Sequence, residues 1–247
     1  MTVIRILGKI VRFHARLVKR AFQFYMRNRS LREMEDRLFS VKSAIIRESE
    51  YIDHVVMKDG SKFYASELIH TVGDVRRDYR FDDIRDTDIV IDLGACIGGF
   101  SIPASRKAKH VYAIEPMTPN LVRDNVVLNQ RDNISVLEMA LGDGQTTRVE
   151  WLGEDKTLET KTLTEIKEIC GGCDFLKSDC EGYEWTIKPE ELKGIRRVEM
   201  EVHSGPNFRT RYPIGMMEDM LKEAGFSCEV EEQGGQLWLI HARKKRT

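Results

Sequence analysis

Two acidic residues of this chain lie near the ends of apolar segments, at the spacing of a nucleoside-binding site. Asp92 lies in the apolar run 89–93, which the glycine-rich turn 94–99 follows, and Glu115 comes directly after the apolar run 110–114. In a parallel sheet, glycines in the first turn let a cofactor approach the backbone, and the acid after the second strand binds ribose hydroxyls. The spacing therefore predicts a site for an adenosine-containing cofactor.

Two features distinguish between the cofactor classes that use this layout. Cys96 stands where the dinucleotide fingerprint G-x-G-x-x-G has the middle glycine that lets the backbone touch a pyrophosphate. The predicted strands 226–231 and 236–242 are joined by residues 232–235 alone, which is too short for a parallel crossover, so one of them is antiparallel. Both features favour S-adenosylmethionine, which has no pyrophosphate, over NAD.

Strands and helices alternate from residue 88 onward. We predict strands at 89–93, 110–114, 134–138, 174–178, 196–202, 226–231 and 236–242, and helices near 100–108, 118–129, 162–169, 181–188 and 213–224. Such alternation predicts an α/β fold in which helices cover both faces of a mostly parallel, Rossmann-like sheet of seven strands. The predicted antiparallel C-terminal hairpin supplies the last two of the seven strands.

Several motifs follow one another in a specific order. They are Asp92-x-Gly94-Ala95-x-x-Gly98-Gly99, Glu115-Pro116, Ala140-Leu141-Gly142-Asp143, Leu176-Lys177-x-Asp179-x-Glu181-Gly182-x-Glu184 and Glu201-x-His203. In this order they resemble the FkbM family of S-adenosylmethionine-dependent methyltransferases, over roughly residues 75–242. The resemblance implies a class I methyltransferase sheet. The chain departs from the family pattern at Cys96, where Asn is common, and at Ser178 and Cys180, where apolar residues are common.

The resemblance implies a set of cofactor-binding residues: Asp92, Gly94, Ala95, Gly98, Glu115, Pro116, Ala140, Leu141 and Asp143. The glycines would shape the loop under the methionine part, and Asp92 would order that loop by accepting backbone N–H groups. Glu115 would accept both ribose hydroxyls, and residues 140–143 would lie beside the adenine. The structural alternatives are a plain strand-to-helix turn for the glycines and a solvated acid for Glu115.

The candidate catalytic residues are Asp179, Glu181 and His203. Asp179 ends the fourth strand, next to the topological switch point where ligands bind, and His203 ends the fifth. Methyl transfer needs an acceptor oxygen held about 3 Å from the methyl carbon and a group that takes up the hydroxyl proton. An imidazole with a pKa of about 6.5 suits that second task. Alternatively, His203 is structural, and Glu181 and Glu184 stabilise the strand-to-helix turn.

These three residues could also hold a divalent cation such as magnesium, which binds oxygen ligands. We do not favour this alternative and assign no metal ligand. Cys170 and Cys173 have half of a zinc spacing, but no second ligand pair follows. An odd number of scattered cysteines, five in all, does not form a disulfide framework and favours a reducing, cytoplasmic location.

The basic residues are concentrated at the two ends of the sequence. Residues 1–32 contain nine Lys or Arg and no acid, and four more basic residues lie at 243–246. The remaining 26 basic residues face 40 acidic ones, so the body carries a net charge of −14. An acidic body argues against nucleic acid as a partner.

The N-terminal residues 3–27 have the periodicity of an amphipathic helix with one basic face. Such a helix could bind an anionic membrane surface through residues 1–28. Alternatively, it packs on its own domain or on a second copy in a homo-oligomer, or serves as a targeting peptide. We expect a helical extension at 1–50, including a mixed-charge helix at 31–49, then a hairpin and linker at 51–87 with Asp59-Gly60 as its turn, and a methyltransferase domain at 88–247.

The predicted reaction is methyl transfer to a hydroxyl of a small molecule, glycan or glycolipid. The chain lacks the Asn/Asp-Pro-Pro-aromatic pattern expected of amino-methylating nucleic-acid enzymes, which favours oxygen as the acceptor. Arg209, Arg211 and Tyr212 would suit a polar or anionic acceptor, or form a solvated loop. The alternatives are a transfer-RNA methyltransferase, an NAD-binding oxidoreductase and a cofactor-binding protein without catalysis.

Overall fold

The computed structural model describes residues 44–45, 54–64, 66, 68–151, 154–204, 212–234 and 236–245. The chain divides into two compact units, Met1–Arg77 and Asp78–Thr247, which are described separately. Among the described residues, no helix has both the length and the apolar character that a membrane crossing requires. The predicted basic helix at 3–27 lies outside the described residues.

The first unit contains a small antiparallel sheet. Its elements are β1 (Ala44–Ile45), β2 (His54–Val56), β3 (Lys62–Tyr64) and most of helix α1 (Ile69–Asp78). The hairpin of β2 and β3 confirms the predicted Asp-Gly turn, in which Gly60 has a φ of 81° and Asp59 accepts the Ser61 N–H. The mixed-charge helix predicted at 31–49 is wrong at Ala44–Ile45, because these residues pair with β2.

The second unit is built around a seven-stranded sheet. Its elements in chain order are β4 (Ile89–Leu93), α2 (Ser101–Ala104), β5 (His110–Ile114), α3 (Pro119–Leu128), β6 (Ile134–Leu137), β7 (Ala140–Leu141), β8 (Thr146–Trp151), β9 (Glu154–Lys161), α4 (Leu163–Cys170), β10 (Phe175–Ser178), the 3-10 turns η1 (Tyr183–Thr186) and η2 (Pro189–Leu192), β11 (Arg197–His203), α5 (Ile214–Glu223), β12 (Phe226–Gly234) and β13 (Leu237–Lys244).

The order of strands in the large sheet is β12-β13-β11-β10-β4-β5-β6. The five strands β11, β10, β4, β5 and β6 are parallel to one another. β13 is antiparallel to both of its neighbours, β11 and β12. The predicted α/β fold with an antiparallel C-terminal hairpin is therefore confirmed. The chain proceeds from β4 to β5 and β6 on one side and then returns to β10 and β11 on the other. The carboxyl ends of β4 and β10 thus form the topological switch point.

The second unit differs from the sequence prediction in three places. A second, smaller sheet of order β7-β9-β8 follows β6. It was missed because most residues of β8 and β9 are polar and neither strand contains a run of consecutive apolar residues. The helix predicted at 181–188 is replaced by η1 and η2, since Gly182 has a φ of 102° and Pro189 begins the second turn. The helix predicted at 100–108 is shortened to α2, with Pro103 within its first turn.

Candidate active site

The glycine-rich loop after β4 lies directly against the end of β10. Gly94 has a φ of 71°, and a Cβ on it would lie 1.8 Å from the carbonyl oxygen of Asp179. Gly98, with a φ of 85°, packs near Ile102 and Val122. Cys96 adopts a φ of 55°, a left-handed conformation that costs free energy in a residue other than glycine. Glycine at position 94 is thus required by the close approach of two backbone segments.

Asp92 stabilises the loop by a contact different from the one predicted. It is fully buried, and its Oδ2 accepts a hydrogen bond of 2.6 Å from the Ser101 hydroxyl at the start of α2. Its Oδ1 lies 3.2 Å from the ammonium of Lys177. Asp92 therefore acts on the loop through a hydroxyl and a cation, where the sequence analysis expected backbone N–H groups.

Glu115 joins the glycine loop to the segment that follows β5. Its carboxylate accepts the backbone N–H of Cys96 at 2.7 Å, of Met117 at 2.7 Å and of Thr118 at 3.0 Å. Burial raises the pKa of Glu115, although the three N–H bonds oppose this effect. A carboxylate so anchored is pre-positioned at the edge where the sequence analysis expects a ribose.

The other predicted cofactor residues surround the same edge of the sheet. Ala95 donates its N–H to Ile114, and its side chain is buried beside α3. Pro116 is half-buried, and its carbonyl accepts a hydrogen bond from Lys156. Ala140 and Leu141 are buried in β7, whereas Asp143 is exposed and accepts the N–H of Gln145.

His203 brings the predicted catalytic residues together. It is buried at the end of β11, and its Nε2 lies 3.4 Å from Glu181, 3.5 Å from Glu201 and 4.0 Å from Asp179. Its Nδ1 lies 3.5 Å from Glu184. The carboxylates that face this imidazole come from the segment 179–184 after β10 and from Glu201 within β11 itself.

The charge state of His203 differs from the sequence expectation. Burial alone would lower its pKa, but the hydrogen bond and charge of Glu184, together with the charges of Asp179 and Glu181, outweigh burial and raise the pKa to about 9. The imidazole is therefore protonated at neutral pH. The environment of His203 therefore does not keep the imidazole neutral and able to accept a proton.

Two of the carboxylates have pKa values shifted towards neutrality. Burial, assisted by the charge of Asp179, raises the pKa of both Glu181 and Glu201, while the charge of His203 opposes the rise. Glu181 is the exposed member of the cluster, with 59% of its side chain accessible, and it has a left-handed φ of 53°. Its carboxylate is thus open to a ligand that arrives from solvent.

Glu184 has the structural role that the sequence analysis left open. It is fully buried, and it accepts the backbone N–H groups of Cys180 and Gly182. The neighbouring Trp185 donates its indole N–H to the His203 carbonyl at 2.9 Å. The turn after β10 and the end of β11 are therefore held together beneath the cluster.

Asp179, Glu181 and His203 could together contact a metal ion, because one ligand atom from each lies within 4.8 Å of the others. Positive charge is already present beside these carboxylates. The ammonium of Lys177 lies 3.7 Å from Asp179, and the ring of His203 is protonated.

Two residues near Asp179 were not identified from the sequence. Tyr79 donates its hydroxyl to Asp179 at 3.2 Å, and Lys177 contacts both Asp92 and Asp179. Lys177 could have been noticed in the sequence, because it is a charged residue within the predicted apolar strand 174–178. Tyr79 gave no such signal. Arg209 and Arg211, predicted either to bind a polar or anionic acceptor or to form a solvated loop, lie outside the described residues, and Tyr212 is half-exposed.

Comparisons with known proteins identify the family. Residues 92–228, which include every candidate site residue, match the model of the methyltransferase FkbM domain. Uncharacterized protein MJ1452 of Methanocaldococcus jannaschii is 38% identical over 65 residues, which are 26% of this chain and 24% of that protein. The matched segments thus span about a quarter of the length of the curated relatives.

Solved structures with a similar fold include two methyltransferases. Precorrin-6y C5,15-methyltransferase from Geobacter metallireducens matches with 15% identity and a TM-score of 0.48, covering 74% of this chain and 94% of that one. The M. jannaschii tRNA m1G37 methyltransferase matches with 13% identity and a TM-score of 0.48, covering 79% and 58%. At this level of similarity neither structure indicates an acceptor, so the exclusion of nucleic acid stays a prediction. The family match covers more than half of the sequence, and the chain therefore belongs to the FkbM family of S-adenosylmethionine-dependent methyltransferases.

Proposed function

We propose that this protein transfers the methyl group of S-adenosylmethionine to a hydroxyl of a small molecule, glycan or glycolipid. The observation that carries the proposal is the contact between the loop after β4 and the backbone of Asp179. A Cβ at Gly94 would lie 1.8 Å from the Asp179 carbonyl oxygen. A donor on that loop and an acceptor at Asp179 would therefore lie side by side.

The residues of the loop fit S-adenosylmethionine. Gly94 and Gly98 have positive φ values that shape the loop after β4, and three backbone N–H groups fix Glu115 where the ribose would bind. Cys96 places a side chain where a pyrophosphate would need bare backbone. When bound, the donor supplies a methyl group on a positively charged sulfur. The surrounding carboxylates favour that charge.

On the acceptor side, we assign uptake of the hydroxyl proton to Glu181. A base is most effective when its pKa lies near the working pH, and partial desolvation together with the charge of Asp179 raises the pKa of Glu181. His203, protonated at neutral pH, would donate a hydrogen bond to the acceptor oxygen or hold Glu181 in place. Asp179 would orient the acceptor from the end of β10.

The charge of the cluster supports an acceptor other than nucleic acid. The carboxylates of Asp179, Glu181 and Glu184 outnumber the two cations beside them, His203 and Lys177, so the phosphates of an RNA strand would be repelled there. A neutral sugar hydroxyl carries no such penalty.

Calorimetric titration with S-adenosylmethionine, S-adenosylhomocysteine and NADH tests the donor. We expect micromolar binding of the first two and none of NADH, with binding lost in Glu115→Ala. Glu165→Ala is the matched control, because Glu165 also accepts a backbone N–H, that of Thr162, but at the start of α4. Binding of NADH alone would refute the proposal.

Transfer from methyl-labelled donor tests the acceptor. Purified glycans, glycolipids and transfer RNA would be incubated with the protein and the labelled donor. Label in the glycan or glycolipid fraction, stable to mild base as an ether is, supports the proposal. Label in the transfer RNA would establish the alternative reaction.

A further inference from the structure

Lys177 is a buried cation at the centre of the site. Its side chain is 2% exposed in β10, and the parallel register places it beside Asp92 of β4. A charge buried in this way is costly unless oxygen atoms around it replace the lost water. The positions of those oxygen atoms therefore indicate what the residue does.

The oxygen atoms around Lys177 belong to both halves of the site. The ammonium donates hydrogen bonds to the carbonyls of Leu93, at 3.2 Å, and Gly94, at 2.8 Å. It also lies 3.2 Å from Oδ1 of Asp92 and 3.7 Å from Oδ2 of Asp179. An ammonium has three donors, and Leu93, Gly94 and Asp92 account for them, so Asp179 interacts with the ammonium through its charge. The carbonyl of Gly94 belongs to the glycine loop, and Asp179 is the carboxylate that would orient the acceptor.

Lys177 is protonated, and therefore positively charged, in this environment. Burial acts against the ammonium, but the negative charges of Asp92 and Asp179 outweigh it and raise the pKa of Lys177. Tyr79 donates to the same oxygen of Asp179, and its ring centroid lies 5.5 Å from the ammonium. Oδ2 of Asp179 is thus held from two directions.

We propose that Lys177 is a positioning residue that fixes the Gly94 carbonyl and the Asp179 carboxylate in one arrangement, and so aligns donor and acceptor. This inference rests on the proposed function. Displacement of reacting groups by about 1 Å can reduce a rate a hundredfold, so a rigid link between the two halves has a direct catalytic value. A neutral side chain of similar length would leave two carbonyls and two carboxylates without their shared cation.

The test compares Lys177→Met with Lys167→Met. Lys167 also donates to two backbone carbonyls, those of Glu191 and Lys193, but outside the candidate site. Circular dichroism and thermal melting establish that each variant is folded. Binding of S-adenosylmethionine with a 13C-labelled methyl group is then measured by calorimetry and by NMR.

We expect Lys177→Met to bind the donor about tenfold more weakly, since charge-assisted hydrogen bonds to the loop are lost. The bound methyl resonance should shift or broaden. Lys167→Met should keep the wild-type affinity and resonance. If Lys177→Met does not fold, Lys177→Gln, which keeps N–H donors without the charge, takes its place with the same expectation.

A purely stabilising lysine would lower the melting temperature and leave the bound methyl resonance unchanged. A folded Lys177 variant with wild-type affinity and resonance would overturn the inference, as would an equal loss in Lys167→Met. If the wild-type protein itself does not bind S-adenosylmethionine, the proposed function fails instead, and the two failures are distinguishable.

Discussion

Replacing His203 with glutamine should reduce the dependence of the free energy of unfolding on pH between pH 6.5 and 9. Buried among carboxylates, His203 has a pKa of about 9 in the folded protein, against 6.5 in its ordinary state. Because the folded state binds this proton more tightly, the contribution to stability is complete below pH 6.5. It is lost as the pH rises through 9.

The size of the effect follows from the pKa difference. One pKa unit corresponds to about 1.4 kcal/mol, so the protonated imidazole contributes about 3 kcal/mol to stability at pH 6. The side chain is only 4% exposed, so screening by solvent reduces this value little. The wild-type protein should therefore lose about 3 kcal/mol relative to His203→Gln between pH 6 and 9.5.

Urea unfolding, followed by tryptophan fluorescence at half-unit steps of pH, measures this difference. NMR of the histidine rings supplies a second measurement, because the resonance missing from His203→Gln identifies His203 and its titration gives the pKa directly. Stability curves that remain parallel from pH 6 to 9.5, or an ordinary pKa for His203, would refute the reasoning from the carboxylate cluster.

Further predictions concern other parts of the molecule. Gly94→Ala should abolish donor binding in calorimetry because of its contact with Asp179, whereas Gly171→Ala, at a similar φ of 73° but in open space, should only lose about 1 kcal/mol of stability. Thr162→Ala should remove the capping box of α4 and lower the free energy of unfolding by about 1 kcal/mol, with donor affinity unchanged. EDTA should leave methyl transfer unchanged, and activity restored by magnesium would contradict this. The intact chain should float with anionic vesicles and a chain lacking residues 1–28 should not; equal behaviour would contradict membrane docking.

The fold was predictable because the strands of the large sheet are apolar runs, as in β4 and β5, or alternate apolar with polar residues, as in β11. Residues 89–93 and 110–114 form β4 and β5 with the predicted bounds. The hairpin of β8 and β9 was not predictable in this way, because most residues of both strands are polar. The pairing of the two strands stabilises this hairpin, and counting the apolar residues along one strand does not detect that pairing.

The site was predictable in its membership and less so in its chemistry. The motifs identified Asp179, Glu181 and His203, and the structure brings them together. The pKa of His203 depends on the carboxylates of the segment 179–184, which follows β10, and their distances from His203 depend on the pairing of β10 with β11. The link from Lys177 to Asp92 likewise depends on the pairing of β10 with β4, two strands that are more than 80 residues apart.

The place of β13 in the sheet has a consequence for the order of folding during synthesis. β13 lies between β11 and β12, although it follows both in the chain. Until residues 237–244 leave the ribosome, β11 exposes an unpaired edge next to apolar residues such as Val198 and Met200. β12 has no neighbour in the sheet during the same interval. Nascent chains that end before Leu237 should therefore bind chaperones or aggregate, whereas slightly longer ones should fold.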